Sequence, residues 1–123
     1  MGVLWIGTDV VDLDRFRLAL RRTPGMVERV FTDGERSYAL RKNDPTERLA
    51  ARFAVKEATM KARGVGLGAF KFHDVEVVKK RTGEPTLSLA GRAVELAEAR
   101  GISEWKVSIT HSDLIAMAVV IAQ

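Results

Sequence analysis

What most constrains the fold of this chain is the order in which its hydrophobic period changes. Residues 3–11, "VLWIGTDVV", are rich in β-branched and large apolar side chains and read as a strand. "DLDRFRLALRR" (12–22) switches to helical spacing, with Leu13, Phe16 and Leu20 on one face. "TPGMVERVF" continues as a short helical or turn segment. Thr32 and Glu35 have the spacing of a capping box, which predicts a helix to about Arg41. Pro45 then opens a long helix that runs to about Arg63, where "GVGLG" ends it. "DVEVVKK" and "TLSL" read as two strands flanking the turn "RTGEP". "AGRAVELAEARG" is an alanine-rich helix closed by Gly101, and "EWKVSIT" and "LIAMAVVIA" are two closing strands joined at "HSD". The order β-α-α-α-β-β-α-β-β has no regular βαβ alternation. It predicts an α+β fold with a mostly antiparallel sheet.

Size and composition narrow the reading further. A chain of 123 residues builds one domain with a real core, and 46% hydrophobic with 29% charged residues describes a globular protein, not a disordered one. The absence of cysteine excludes disulfides and thiolate metal sites. No basic leader with a long apolar run opens the sequence, and no stretch approaches a membrane span of ~18 residues. The expected location is therefore the cytoplasm. A net charge of +4 points to an anionic partner: a nucleic acid, a phosphorylated metabolite or an acidic protein.

Within the long helix, "RLAARFAVKEATMKARGVG" (48–66), one acid is out of place. Helical spacing puts Leu49, Phe53 and Met60 on an apolar stripe that Ala50, Ala54 and Ala58 widen, and Glu57 falls inside the arc. On an exposed face, Glu57 and Lys61 would make an i,i+4 pair contributing a few tenths of a kcal/mol. A carboxylate on the apolar face must instead find a partner, because burying it alone costs several kcal/mol. Lys61 is one candidate partner and a divalent cation is the other.

A metal needs a second oxygen ligand, and Asp9 lies in the middle of a β-like run, flanked by Ile6, Val10 and Val11. The bland alternative is an acid at a strand end or helix cap, a role for which Asp12 is better placed. Two carboxylates without His or Cys beside them match Mg²⁺ better than Zn²⁺, and Mg²⁺ usually shares its shell with phosphates. Gly64 sits where a left-handed helix cap belongs, so "GVG" is a weak phosphate signal. His111 reads as either a structural histidine or an anion ligand.

Six blocks together carry a resemblance: "IGTDVVDLDRF", "FTDGE", "ERLAARFAVKEATMKARGVG", "FHDVEV", "SITHS" and the closing "AMAVVIA". In that order they resemble the small bacterial holo-acyl-carrier-protein synthases of the 4′-phosphopantetheinyl transferase superfamily, essentially end to end. The resemblance implies a single domain over residues 1–123 with a long helix packed on the sheet. It also implies transfer of phosphopantetheine from coenzyme A to a serine of an apo acyl carrier protein, with adenosine 3′,5′-bisphosphate as the other product. The metal-binding pair of the family maps onto Asp9 and Glu57, with Mg²⁺ the implied ion, and Lys61 approaches the pyrophosphate. Arg52, Lys56, Gly64, His111 and Ser112 fall in blocks that contact coenzyme A. The family works as a homotrimer with a site at each subunit junction. Arg15, Arg22 and Arg21 of the first helix are then candidates for docking the acidic carrier, whether from a fatty-acid, polyketide or peptide pathway.

The attacking hydroxyl belongs to the carrier, so the enzyme must supply a base. Glu57 through a water is the first candidate, Asp9 the second and His111 the third. Three positions depart from the family pattern: Val65 stands where a threonine is common, Glu84 where lysine is common, and Trp5 is bulky for a strand start. Two rivals remain on sequence grounds. A basic nucleic-acid-binding module is disfavoured by an aromatic content of only 7% and by the lack of a stacking pattern. A Mg²⁺-dependent phosphohydrolase would use the same Asp9–Glu57 pair.

Overall fold

The computed structural model describes residues 2–62 and 71–123. Strand β1 (Trp5–Asp12) leads into helix α1 (Leu13–Arg22), a short α2 (Met26–Val30), α3 (Asp33–Ala39) and the long α4 (Thr46–Ala62). A 3-10 turn at Phe72–Asp74 precedes the hairpin of β2 (Val75–Lys79) and β3 (Pro85–Leu89). Helix α5 (Gly91–Ala99) and strands β4 (Trp105–His111) and β5 (Ile115–Ala122) complete the chain. The strands form an antiparallel three-stranded sheet, ordered β1-β5-β4, and the separate β2-β3 hairpin. This is the α+β architecture the element order predicts.

Local chemistry fixes several element ends. Asp12 caps α1, its Oδ1 accepting from the Arg15 N–H at 2.9 Å. At α3 the capping box is complete, with Thr32 Oγ1 accepting from the Glu35 N–H at 3.2 Å and Glu35 Oε1 from the Thr32 N–H at 2.9 Å. Asp44 steadies the start of α4 by accepting from the Thr46 N–H at 3.0 Å and hydroxyl at 2.6 Å. Gly83, at φ +92°, turns the hairpin between β2 and β3.

Helix α4 crosses the inner face of the three-stranded sheet and is the centre of the core. Ala50, Ala54, Ala58 and Ala62 are fully buried, as are Ala116 and Ala118 of β5. Small residues let helix and sheet approach closely: a Cβ added at Gly7 would lie 1.8 Å from the Ala58 carbonyl oxygen. Phe16, Phe31, Leu49, Val55 and Val120 fill the remaining space. Trp5, the bulky departure, is half-buried against this core, with the Arg100 guanidinium 5.9 Å from its ring centre.

The burial of α4 corrects the helical reading of Glu57. The helix is buried around nearly its whole circumference, and from Ala51 to Ala62 only Phe53, Glu57 and Lys61 are not fully enclosed. These three follow one another at i, i+4 and i+8, so they form a single open stripe. Phe53 and Glu57 therefore lie on the side of α4 that opens to a cleft, not on the side that faces the sheet.

Candidate active site

Asp9 and Glu57 line that cleft together with Lys61 and Arg15, in a space of about 550 Å³. Strand alternation brings Asp9 there: it shares the inner face of β1 with Gly7 and Val11, both buried against α4. The Lys61 ammonium donates to Asp9 Oδ1 at 3.1 Å and to the Thr8 carbonyl at 3.0 Å. Among the described residues Glu57 has no such hydrogen-bond or ion-pair partner. Burial first, and then the negative charge of Asp9, raise its pKa above the usual glutamate value, with Lys61 opposing. Among the described residues the cleft thus sets Asp9 and Glu57, which repel each other, beside Lys61, with Asp12 and Arg15 also in its lining.

That donor set suits a hard divalent cation, whose charge would relieve the repulsion between the two carboxylates. Among the described residues no group of three or more His, Cys, Asp or Glu side chains gathers to hold a metal. An ion held by Asp9 and Glu57 would therefore complete its shell with water and substrate oxygens, which is the habit of Mg²⁺.

A second cleft, of about 340 Å³, opens on another side of α4 and is strongly basic. Its lining includes Arg48, Arg52, Lys42, Lys79, Tyr38 and His111. Five residues separate Arg52 from Glu57, which places them about 140° apart around the helix axis. Arg52 is buried, donates through Nη1 to the Arg48 carbonyl at 3.2 Å, and keeps a buried Nε without a hydrogen-bond partner. Its guanidinium lies 4.3 Å from the Tyr38 ring centre. His111 ends β4 on its inner face, with Nδ1 3.5 Å from Glu47 Oε2. A buried guanidinium with one unpartnered donor, beside the other cations of the lining, gives this cleft the chemistry to attract an anion.

The remaining candidates separate. Lys56 is a correction: it is fully enclosed, ion-paired to buried Glu35 at 2.8 Å, and donates to the Phe72 carbonyl at 2.9 Å and to that of Val75. All three ammonium protons are used inside the core, so Lys56 has none left for a ligand. The Ser112 hydroxyl oxygen accepts from the Leu114 and Ile115 N–H groups at 3.2 and 3.3 Å and so shapes the β4–β5 turn. Arg15, Arg21 and Arg22 are exposed on α1, whereas Arg17 is tied to Asp14 and Asp44. Gly64 and Val65 lie outside the described residues. Glu84 pairs loosely with Lys80 at 3.8 Å on the hairpin surface.

Sequence reasoning missed Glu35, Tyr38, Arg48 and Lys79. The capping box signalled Glu35 at a helix start, but its second oxygen accepts the Val77 N–H at 2.8 Å, a contact 42 residues away. Tyr38, Arg48 and Lys79 come from three elements, and no spacing in the chain announces that they meet.

Fold and clefts together define a small α+β protein with a carboxylate cleft and a basic cleft on different sides of one helix. Residues 6–119 match the 4′-phosphopantetheinyl transferase superfamily, and the chain belongs to that family. It is 44% identical to the holo-[acyl-carrier-protein] synthase of Frankia alni, over 100% of this chain and 99% of the relative. The holo-[acyl-carrier-protein] synthase of Neisseria meningitidis superposes with a TM-score of 0.91 at 29% identity, covering 99% of both chains. The enzyme of the same name from Helicobacter pylori, solved in complex with coenzyme A, gives a TM-score of 0.84 at 29% identity, covering 96% of this chain and 99% of that one.

Proposed function

We propose that this protein transfers the 4′-phosphopantetheine group of coenzyme A to a serine of an apo acyl carrier protein. The products are holo acyl carrier protein and adenosine 3′,5′-bisphosphate. The observation that carries the reading is the cluster of Asp9, Glu57 and Lys61 in one cleft, in a chain that matches holo-[acyl-carrier-protein] synthases along its whole length. The domain that performs the reaction spans residues 1–123, and its place of work is the cytoplasm. Among the described residues no helix is long and apolar enough to cross a membrane.

In this mechanism the carrier's serine oxygen forms a bond to the β-phosphorus while the bridging P–O bond to the adenosine bisphosphate breaks. Glu57 takes the serine proton through a water. Lys61 is exposed enough to exchange its contact with Asp9 for an oxygen of the pyrophosphate. Asp9 and Glu57 would hold Mg²⁺, which supplies positive charge to the pyrophosphate when bound. Arg52 and His111 would bind the nucleotide end of coenzyme A in the basic cleft. Arg15, Arg21 and Arg22 present exposed cations to an acidic carrier, and Arg15 borders the carboxylate cleft itself.

We further propose a homotrimer with sites at the subunit junctions. The outer face of the sheet supports it: Ile6 and Val10 are 60% and 55% exposed, opposite Ile121 and Met117 on β5. Glu57 and Arg52 lie on different sides of α4, so two subunits would each contribute half of a site.

The test is intact-protein mass spectrometry of an apo acyl carrier protein incubated with this protein, coenzyme A and Mg²⁺. The carrier should gain one phosphopantetheine, and the gain should vanish with EDTA and with Glu57→Ala. Coenzyme A consumed without carrier modification would instead mark a hydrolase and refute the transfer.

A further inference from the structure

The basic cleft contains an arrangement that the reaction does not by itself require. Arg48, Arg52 and Lys79 converge on one aromatic ring, with the Arg48 and Arg52 guanidinium carbons 4.0 and 4.3 Å from the Tyr38 ring centre and the Lys79 ammonium at 5.4 Å. Two further contacts lock the group. Arg48 Nη1 donates to the Tyr38 carbonyl at 2.8 Å, and Lys79 Nζ donates to the Tyr38 hydroxyl at 3.4 Å. Three cations this close repel one another, and proteins usually offset such repulsion with carboxylates. Among the described residues none of these three cations forms an ion pair with an acid, Glu47 and Glu35 being engaged with Lys42, His111 and Lys56. The negative face of the ring offsets part of it, with the more distant charge of Glu35 also favouring the charged form of Arg52. An aromatic face attracts a guanidinium without occupying its N–H donors, so those donors stay available to an anion. The buried, unpartnered Nε of Arg52 is the clearest sign that a ligand is meant to arrive.

We propose that Tyr38 is a positioning residue that holds Arg48 and Arg52 ready for the phosphate groups on the nucleotide end of coenzyme A. The inference rests on the reading that coenzyme A binds in this cleft. Tyr38 acts through the arginines, not on the reacting atoms, so its loss should weaken coenzyme A binding more than turnover. The phenol carries its own mark of this environment. Burial raises its pKa, but the Lys79 hydrogen bond and the charges of Arg48, Lys79 and Arg52 together outweigh that and lower it.

The experiment compares Tyr38→Leu, Tyr38→Phe and Arg52→Gln with the wild type in carrier-modification kinetics and in calorimetric titration with adenosine 3′,5′-bisphosphate. Tyr38→Leu should raise the KM for coenzyme A roughly five- to thirtyfold, while kcat falls less than about twofold and the KM for the carrier stays put. Tyr38→Phe keeps the ring and should restore most of the affinity. If Tyr38→Leu loses its cooperative melt, Tyr38→Gln, which removes the ring but keeps a polar end for Lys79, carries the same expectation. Wild-type binding that Arg52→Gln weakens and the ring-less variants leave intact would overturn the role of Tyr38 alone. A wild type that binds no adenosine 3′,5′-bisphosphate would overturn the nucleotide reading of the cleft and the proposal with it.

Discussion

In the proposed reaction Glu57 serves chemistry at the expense of stability. Burial and the charge of Asp9 disfavour its ionised form in the folded protein. A carboxyl whose pKa is raised by folding contributes fully below the ordinary glutamate range, and that contribution is lost as pH rises through the raised value. At neutral pH, with EDTA present to remove any bound cation, Glu57 is therefore a liability. Glu57→Gln should lower transfer activity by about a hundredfold or more. The same variant should melt a few degrees higher than the wild type at pH 7. The gap should close as pH is lowered through the Glu57 titration, because the wild-type side chain is then neutral too. A Glu57→Gln protein that is less stable than the wild type at pH 7 would mean that the carboxylate makes a favourable structural contact. The sequence disclosed Glu57 as anomalous because an acid in a run of Ala, Phe and Val needs a reason. It did not disclose the direction Glu57 faces, since an amphipathic projection assumes one buried side and α4 is buried on nearly all sides.

At the scale of elements, the same helix explains what Lys56 is for. Helix α3, helix α4 and strand β2 meet at the Lys56–Glu35 pair, with Glu35 also closing the capping box and accepting the Val77 N–H. Removing one partner leaves a buried charge without its counter-charge, a loss of about 3–5 kcal/mol. Lys56→Met should therefore lower the denaturant midpoint sharply. Adding Glu35→Gln to it should recover part of the loss, since the stranded charge is gone. Chemical denaturation of the two single variants and the double variant checks this; strict additivity would show that the pair is not coupled. Strand and helix limits were legible because local rules set them: Asp12 and Thr32 cap, Gly83 turns, and β-branched runs extend. Lys56 was not, because it came with a family block that contacts coenzyme A, and membership of a block does not say which side of a helix a residue faces: a turn of about 100° per residue sends neighbours to different sides. The basic cleft was half legible. Arg52 and His111 came from the family blocks, but Tyr38, Arg48 and Lys79 are joined only by tertiary packing of α3, α4 and β2.

At the scale of the whole molecule, the two clefts of one chain pose a problem that assembly would solve. In the proposed reaction coenzyme A would have to reach from the basic pocket at Arg52 to the carboxylates at Asp9 and Glu57, yet α4 stands between them. In a closed ring, the carboxylate cleft of one subunit can face the basic cleft of the next, and the apolar outer face of β1 and β5 offers surface to bury between copies. Two inactive variants should then complement each other. Asp9→Ala spoils only the carboxylate half, and Arg52→Gln only the nucleotide half. When equal amounts are unfolded and refolded together, a junction works if it pairs the intact carboxylate half of one variant with the intact basic half of the other. Random mixing makes about one junction in four competent, so activity should return to roughly a quarter of the wild-type value. Mixing without exchange should restore nothing, and native mass spectrometry of the refolded sample should show trimers containing both variants. Mixed trimers that remain inactive would place both halves of the site within one chain. Charge introduced on the sheet face away from the carboxylate cleft, as in Ile6→Glu, should act on the same junctions by another route, giving monomers in light scattering and loss of transfer while the isolated fold still melts cooperatively.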